Sequence, residues 1–401
     1  MTRVQRFAAL ALLAGITLFG TTAASGHDPG FVETDLVVNK EVGNVPTLTD
    51  GNGIVHVAKI FDAHLVNPWG VSESQGSPFW ISDNGDGTSS LVSEQSGTLS
   101  IVSLLVSIPS PVDPLGNGGT PTGQAFNSTG DPNAFKVTGL SAAGTLASAA
   151  AFFLFATEDG TIAGWSPGLN PPGATLTTPS THAIIAVNNS ENPDACHGAV
   201  YKGLAIATDA SGRTLLYATN FRAGTIDVFD TAFQPAMDLP AGAFTDPNLP
   251  KRYAPFNIVP IGGELFVTYA KQNKAAHDDV AGPGHGIVDV YDLQGNLLRR
   301  FASHHELNSP WGVTVGPPAF GSFAGDILIG NFGNGRINVF DPKTGDFLGS
   351  LKDPQGHPIV IDGLWALQVG NGAAGGDSKA VYFTAGPNDE EDGLFGSLVL
   401  Q

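Results

Sequence analysis

The sequence has a single cysteine, Cys196, and few charged residues for its length of 401 residues. One cysteine excludes an internal disulfide, so an exported chain of this kind must draw its stability from core burial and sheet closure. Charged residues make up only 14% of the chain, too few for the solvent faces of a helical bundle. The 18 basic residues stand against 37 acidic ones, and the formal net charge of −19 argues against binding to nucleic acid or anionic lipid.

Long apolar runs are absent outside residues 1–24, which have the pattern of a secretory signal peptide. Arg3 and Arg6 form a positive start, residues 7–19 an apolar core, and residues 22–24 are small, as a cleavage site before Ser25 requires. The apolar core is too short to span a membrane comfortably, although a retained anchor is the alternative. We therefore expect a secreted or periplasmic protein that leaves the membrane after cleavage.

Glycine and proline are abundant, at 52 and 28 residues, and they punctuate a repeated pattern. The tetrapeptide Pro-Trp-Gly-Val occurs at 68–71 and 310–313, and residues 363–366 are a degenerate copy. A recurrence at about fifty residues indicates a repeat architecture. We distinguish six repeat units, whose innermost runs are registered on Trp69, Phe126, Gly203, Phe256, Trp311 and Trp365.

Each unit contains four short apolar runs separated by turns. The third run often reads Gly-x-Ile/Val-x-Val-aromatic-Asp, as at 224–230, 286–292 and 335–341. This pattern predicts an all-β, six-bladed β-propeller of four-stranded antiparallel blades. We expect a polar lead-in over 25–53 and the propeller over 54–401. Residues 55–61 are the expected closing strand beside 393–400, because closure removes free sheet edges.

Three longer runs carry a resemblance to known proteins: residues 65–70, 277–286 and 385–396. Through them the chain, over roughly residues 35–400, resembles an uncharacterised bacterial secreted propeller family related to NHL-repeat propellers. The resemblance implies the six-bladed fold and export, and it assigns no activity.

Asparagine follows the second strand of three units, at Asn84, Asn220 and Asn331, and residues 158–159 (Glu-Asp) are the counterpart in another unit. Strand ends line the axis of a propeller, where oxygen ligands could hold Ca²⁺. The alternative is that each asparagine caps a turn.

A second candidate site is the His277, Asp278, Asp279 and His285 set, in which imidazole and carboxylate could bind Zn²⁺. Residues 282–284 (Gly-Pro-Gly) exclude a helical zinc motif, and an ordinary polar loop is the alternative. With Asn220 and Asn331 these residues form our predicted Ca²⁺ or Zn²⁺ ligand set.

The acidic run at 388–392 is the third candidate site, with Asp389 and Glu390 expected to face the axis. A cation would relieve the repulsion between its carboxylates, and a solvated acidic turn is the alternative. Trp69, Trp311 and Trp365 could form an aromatic platform for a sugar at the axis, although packing between blades is the commoner role of such rings.

No nucleophile elbow, P-loop or dinucleotide fingerprint is present in a suitable context, and Cys196 and His197 are adjacent on one strand and so point apart. We therefore favour a monomeric binding or scaffold protein for a small-molecule, saccharide or protein ligand. The alternative is a metal-dependent hydrolase, lactonase-like enzyme or lyase. In an enzyme the candidate side chains should meet at one end of the axis, and in a scaffold they should scatter.

Overall fold

The computed structural model describes residues 30–401, so the predicted signal peptide lies outside the described residues. Over this range no helix has the length and apolar character needed to cross a membrane. The only helical element described is one 3-10 turn, Gly321–Phe323. The N-terminal strands are β1 (Phe31–Val38), β2 (Glu41–Val42), β3 (Val45–Thr49), β4 (Val55–Val57) and β5 (Ile60–Phe61).

Six sheets then follow one another along the chain. The first contains β6 (Pro68–Ser72), β7 (Phe79–Asp83), β8 (Thr88–Gln95), β9 (Thr98–Ile101) and β10 (Val106–Ser107). The second contains β11 (Pro121–Phe126), β14 (Phe153–Thr157), β15 (Thr161–Trp165) and β16 (Ile184–Asn188), and its inserted hairpin is β12 (Lys136–Leu140) with β13 (Leu146–Ala150). The third contains β17 (Tyr201–Thr208), β18 (Thr214–Asn220) and β19 (Thr225–Phe229).

The remaining sheets complete the series. The fourth contains β20 (Tyr253–Ile261), β21 (Glu264–Lys271), β22 (Ile287–Tyr291) and β23 (Leu297–Ser303). The fifth contains β24 (Pro310–Val315), β25 (Ile327–Asn331), β26 (Ile337–Phe340) and β27 (Phe347–Ser350). The sixth contains β28 (Leu364–Val369), β29 (Val381–Ala385) and β30 (Leu394–Leu400), to which β1 and β5 add.

The first strand of each sheet lies at the centre of the molecule. Strands β6, β11, β17, β20, β24 and β28 contact one another in that order, and β28 contacts β6, so the series closes into a ring. Neighbouring strands within each of these sheets are antiparallel, apart from the outermost pair β1 and β5. The predicted all-β propeller fold is confirmed, and each of the six repeat units falls on one sheet.

Every inner strand has a bulge near its first residues, where its pairing with the second strand of the same sheet shifts. In β6 the shift lies between Pro68 and Val71, and the other five inner strands have a shift at the corresponding place. At each bulge one residue of the inner strand points toward the axis. In ring order these residues are Trp69, Thr122, Lys202, Phe256, Trp311 and Trp365. Our predicted register was therefore wrong in two units, because Thr122 and Lys202 replace Phe126 and Gly203.

The bulge brings adjacent inner strands unusually close together. A Cβ added to Gly70 would overlap the carbonyl oxygen of Thr122, and one added to Gly123 would overlap the backbone of Leu204. Hydroxyls of the second strand complete the contact: Thr384 accepts a hydrogen bond from the Ala366 N–H (3.0 Å) and donates one to the Trp69 carbonyl. Glycine in the repeated Pro-Trp-Gly motif is thus required by close backbone approach.

The closing strand is not the one that we predicted. Strand β1 pairs antiparallel with β30, from Phe31 opposite Leu400 to Val38 opposite Leu394. Residues 30–53 therefore include an integral strand of the propeller and are not simply a polar lead-in. In residues 55–61, Val55 and Val57 are more than half exposed, β4 pairs with β3, and only β5 joins the sixth sheet, parallel to β1 at its outer edge.

The burial of its side chains shows how strongly β1 is held in the ring. Leu36, Val37 and Val38 are all at most 1% exposed and pack into two clusters of the core. Leu36→Ala is therefore expected to lower the free energy of unfolding by about 2–5 kcal/mol, since it leaves a cavity. Val55→Ala on the segment that we first expected to close the ring is the matched control, with a change within about 0.5 kcal/mol. Denaturant unfolding of both variants measures this, and similar losses would contradict closure by β1.

Candidate functional site

Polar side chains from five of the six sheets converge at one end of the axis. They lie where the inner strands begin and the second strands end, on the strand ends, turns and loops of every sheet but the fifth. We call them the axial cluster: Asn67, Asn84, Glu158, Lys202, His277, Asp278, Asp279 and Glu390.

Lys202 forms the base of the axial cluster. Its side chain is only 2% exposed, its ammonium pairs with Glu158 Oε1, and it lies 3.9 Å from Asp278 Oδ1. The ammonium also lies 4.8 Å from the ring centre of Trp69 and 5.9 Å from that of Phe221. Attraction to the ring faces and to Glu158 allows a positive charge to be buried at this position.

Tryptophan rings form a floor beneath the axial cluster. Trp69 stacks on Trp365 with 3.6 Å between ring centroids, and Trp311 meets both edge-on at 6.2 and 5.9 Å. All three are at most 4% exposed, and Phe332 stacks on Trp365 at 4.0 Å. The rings therefore pack against one another at the axis, and no open platform for sugar stacking exists on their faces.

An asparagine pair connects the floor to the acidic side of the cluster. The Trp365 indole N–H donates to Asn67 Oδ1 (3.0 Å), and Asn67 Nδ2 donates to Glu390 Oε2 (2.7 Å) and Asn84 Oδ1 (3.3 Å). Asn84 Nδ2 then donates to Glu158 Oε2 (3.1 Å). Burial raises the pKa of Glu390 to about 7; the negative charge of Glu158 adds to the increase, and the bond from Asn67 opposes it.

The turn that directs Glu390 toward the axis has an unusual backbone. Asn388, Asp389 and Glu390 all lie in the left-handed region, with φ of 59°, 55° and 69°. Consecutive left-handed residues other than glycine cost about 1–2 kcal/mol each. Such local strain is typical of positions where a side chain is placed for function.

The loop between β21 and β22 supplies the outer wall of the cluster. His277 Nδ1 lies 2.6 Å from Asp278 Oδ1, and Asn273 Nδ2 donates to Asp278 Oδ2 (3.0 Å). The hydrogen bond with His277 lowers the pKa of Asp278, although burial opposes it. Burial raises the pKa of Asp279, and the Ser309 hydroxyl and the charge of Lys202 oppose the rise.

The six predicted metal ligands do not form one site. His285 Nδ1 lies 2.8 Å from the Val280 carbonyl within its own loop, and so it does not return to His277. Asn220 Oδ1 accepts the backbone N–H of Ala223 (3.2 Å), as expected of a turn cap. Asn331 ends β25 of the fifth sheet, and its Nδ2 donates to the Glu306 carbonyl (2.7 Å). Only the group from 277 to 279 reaches the axis.

The three asparagines that we treated as equivalent occupy two different positions. Asn220 and Asn331 end their strands opposite Tyr201 and Pro310, and Asp83 is their counterpart opposite Pro68. Asn84 lies one residue later, in the position of Phe221 and Phe332. Because successive residues of a strand point to opposite sides, Asn84 alone of the three faces the axis.

The acidic run at 388–392 is divided among different surroundings. Glu390 belongs to the axial cluster, whereas Asp389 and Glu391 are exposed. Asp392 is buried and pairs with Lys40 at 2.8 Å. The carboxylates therefore do not share one cation site, and Asp389 does not face the axis.

Lys202 and Asn67 are the members of the cluster that the sequence did not indicate. The signal for Lys202 was present, since Tyr201-Lys202-Gly203 takes the place of Pro68-Trp69-Gly70 in its repeat. A lysine in the middle of an apolar strand, at a position filled by tryptophan elsewhere, would have identified it. Asn67 offers no comparable signal, because only the fold brings it beside Glu390.

On the other side of the tryptophan floor, the far halves of the inner strands surround a cavity of about 300 Å³. Its lining includes Val71, Gln124, Ile206 and Gln368, and one carboxyl group, Glu73. Burial raises the pKa of Glu73 to about 8, with a hydrogen bond to Gln368 opposing the shift. The floor thus separates this cavity from the axial cluster.

The closed ring of antiparallel sheets defines the protein as a β-propeller. No family model matches the chain. Uncharacterized protein R648 of Acanthamoeba polyphaga mimivirus is 32% identical over 340 residues, which cover 84% of this chain and 76% of that protein. Uncharacterized protein L690 of the same virus is 31% identical over 341 residues, covering 84% and 81%. The chain belongs to the family of these two proteins.

Solved structures similar to the chain include the streptogramin B lyase, at 12% identity and a TM-score of 0.40 over 92% of this chain and 97% of that one. Another is the aldose sugar dehydrogenase of Streptomyces coelicolor, at 14% identity and a TM-score of 0.43 over 83% and 95%. These similarities are too low to transfer an activity. The curated relatives are viral, so the bacterial source implied by the resemblance remains a prediction.

Removing the charge of Lys202 should expose the energetic coupling within the cluster. Lys202→Met leaves the Glu158 carboxylate without its counter-ion, and we expect a loss of about 3 kcal/mol of unfolding free energy. The double variant Lys202→Met with Glu158→Leu should regain most of that loss, because the Glu158 carboxylate is no longer left without its counter-ion. Denaturant unfolding measures both.

Arg213→Met is the matched control for this prediction, since its ion pair with Asp238 lies at the surface. Such pairs contribute less than about 1 kcal/mol. A double variant that is less stable than Lys202→Met would contradict the coupling.

The raised pKa of Glu390 gives a pH dependence with a definite sign. The folded protein binds the Glu390 proton more tightly than the unfolded chain, in which the pKa has its ordinary value of 4.5. The contribution of protonated Glu390 to the free energy of unfolding is therefore complete below about pH 4.5 and is lost as the pH rises through about 7. Glu390→Gln, which stays neutral, should gain stability relative to the wild type between those pH values. Thermal melting across that range measures the difference, with Glu391→Gln as an exposed control.

Proposed function

We propose that the chain is an exported, monomeric binding protein that holds a small, neutral, polyhydroxylated ligand, of the kind represented by a monosaccharide, at the axial cluster. The observation that carries this proposal is the burial of Lys202 at a ring position that holds Trp69, Phe256, Trp311 or Trp365 in other sheets. The predicted signal peptide supports export.

The argument begins with the cost of burying Lys202. A buried ion pair loses several kcal/mol of hydration per charge, and apolar residues of similar volume often give equal or greater stability. Aromatic rings fill four of the five equivalent positions, and Thr122 fills the fifth, so the fold accommodates apolar residues there. Stabilisation of the fold alone therefore does not account for the Lys202–Glu158 pair, whereas a role in ligand recognition does.

Unpartnered polar atoms give a second line of support. Within the described range, the indole Nε1 atoms of Trp69 and Trp311 are buried without a hydrogen-bond partner. Buried polar groups are nearly always paired, with protein, water or ligand. These two rings form the floor beneath the axial cluster, which supports a polar ligand there.

The charge pattern indicates the ligand class. Four carboxyl groups face one ammonium and one imidazole, so the cluster offers both acceptors and donors. The carboxylates disfavour an anionic ligand, and the ammonium of Lys202 opposes a cation placed beside it. A neutral molecule with several hydroxyl groups satisfies both sets of groups.

The cluster does not require a metal ion to hold such a ligand. Glu158, His277 and Asp278 each offer one atom within 4.8 Å of the others, as a metal site would. However, the ammonium of Lys202 already bonds to Glu158 and lies 3.9 Å from Asp278. A divalent ion between these carboxylates would repel it, so Lys202 supplies the positive charge that we first assigned to Ca²⁺ or Zn²⁺.

An acid–base enzyme, such as a lyase or hydrolase of the same ligand, is the second candidate. Glu390 favours it, since a carboxyl group with a pKa of about 7 is suited to proton transfer at neutral pH. In that case Glu390→Gln should abolish turnover and retain binding.

Ligand-observed NMR with a panel of monosaccharides and polyols tests the proposal. We expect binding by the wild type and by Arg213→Met, and at least about 10-fold weaker binding, or about 1.4 kcal/mol, by Lys202→Met with Glu158→Leu. Absence of binding to the wild type, or equal binding by the double variant, would contradict the site. Product formation in the same samples separates the enzyme from the binding protein.

A further inference from the structure

The closing strand carries a second cluster of ionisable side chains, on the outside of the ring and separate from the axial cluster. Glu33 and Asp35 project from β1, His56 from β4, and Asp50 lies in the turn between β3 and β4. Residues two apart on a strand share a face, so Glu33 and Asp35 both point toward the small sheet formed by β2, β3 and β4. His56 is the one buried residue of β4 and points back at them.

The distances around His56 suit a metal ion. His56 Nδ1 lies 3.1 Å from Asp35 Oδ1 and 3.9 Å from Glu33 Oε1, and all three ligand atoms lie within 4.8 Å of one another. A zinc ion about 2.1 Å from each of its ligands in tetrahedral geometry separates those ligands by about 3.4 Å. Small side-chain movements would therefore bring all three atoms to one ion, with water as a fourth ligand.

The opposite side of the imidazole ring supplies independent support. The side chains of His56 and Asp50 are 6% and 1% exposed, and His56 Nε2 lies 3.5 Å from Asp50 Oδ2. Both atoms are buried and lack a hydrogen-bond partner within the described part of the chain. Asp50 Oδ1, in contrast, accepts the backbone N–H groups of Asn52 and Ile54 at 3.0 and 2.7 Å, which fixes the carboxylate in place.

This arrangement matches the way proteins orient a histidine ligand. A histidine bound to a metal through one nitrogen commonly donates its other N–H to a carboxylate, which sets the tautomer and the ring orientation. Asp50 is placed to accept from Nε2–H. Nδ1 lies in hydrogen-bond contact with Asp35 Oδ1 at 3.1 Å, and on metal binding it would exchange its proton for the ion.

We infer that Glu33, Asp35 and His56 form a site for a divalent transition-metal ion, with Zn²⁺ as the best fit, and that Asp50 is its positioning residue. Imidazole with carboxylate oxygens is a ligand set that zinc accepts. The ion would join β1 to β4 and so hold the small sheet of β2, β3 and β4 onto the propeller. This inference does not rest on the function proposed for the axial cluster.

Calorimetric titration of the purified, metal-free chain with Zn²⁺ tests the site. We expect one ion per chain and a rise in melting temperature on binding. Binding should be at least about 100-fold weaker in His56→Gln and about 10-fold weaker in Asp50→Asn. Co²⁺ in place of Zn²⁺ should show the absorption of a tetrahedral ion in the wild type and lose it in His56→Gln.

Two controls separate this site from others. His357→Gln removes an exposed histidine that pairs with Asp353 at 3.1 Å, so it has matched chemistry at the surface and should bind Zn²⁺ as the wild type does. Lys202→Met with Glu158→Leu should also leave Zn²⁺ binding unchanged. If His56→Gln does not fold, Glu33→Gln, whose side chain is 26% exposed, gives the same test. Failure of the wild type to bind Zn²⁺, or equal binding by the variants in the cluster, would overturn the inference.

Discussion

The close approach of six inner strands at the axis is the constraint on which the structure depends. At each bulge one side chain is turned toward the centre, and the following backbone lies against the next strand, where Gly70 and Gly123 leave no room for a Cβ. The ring therefore admits only a few side chains at its centre, and their identity decides what the centre can do. Five large side chains and one threonine occupy the positions, and one of the five large residues is charged.

That selection places apolar packing and buried charge in competition within a single layer. Trp69, Trp311 and Trp365 contribute apolar burial and close ring contacts, which stabilise the centre. Lys202 occupies an equivalent position and needs Glu158 and the face of Trp69 to offset its lost hydration. The left-handed turn at 388–390 adds a further local cost in the same region. Strain and buried charge thus accumulate at one end of the axis, where the polar side chains meet.

The repeat and the alternating strands made the propeller predictable, because period and turn chemistry are local properties of the sequence. The closing strand was not, since choosing between residues 31–38 and 55–61 depends on which of them buries its apolar side chains in tertiary contact. Of the residues that we proposed for the site, those at 277–279 and Glu390 lie at the axis. Asn220 and Asn331 were misplaced by one residue, a shift that moves a side chain to the other face of a strand. Lys202 was not predicted because the repeat units were matched by residue type, whereas the position within each unit identifies the residue that points to the axis.

The tryptophan floor also determines how anything can travel through the centre of the molecule. With Trp69 stacked on Trp365 and Trp311 set against both, the rings close the axis midway within residues 30–401. Whatever approaches the floor on the side of Lys202 must therefore leave on that side. A long polymer cannot thread through such a centre, and only a free end or a small unit could reach the floor. The two faces of the propeller are thereby chemically independent, and each could change its occupant without affecting the other.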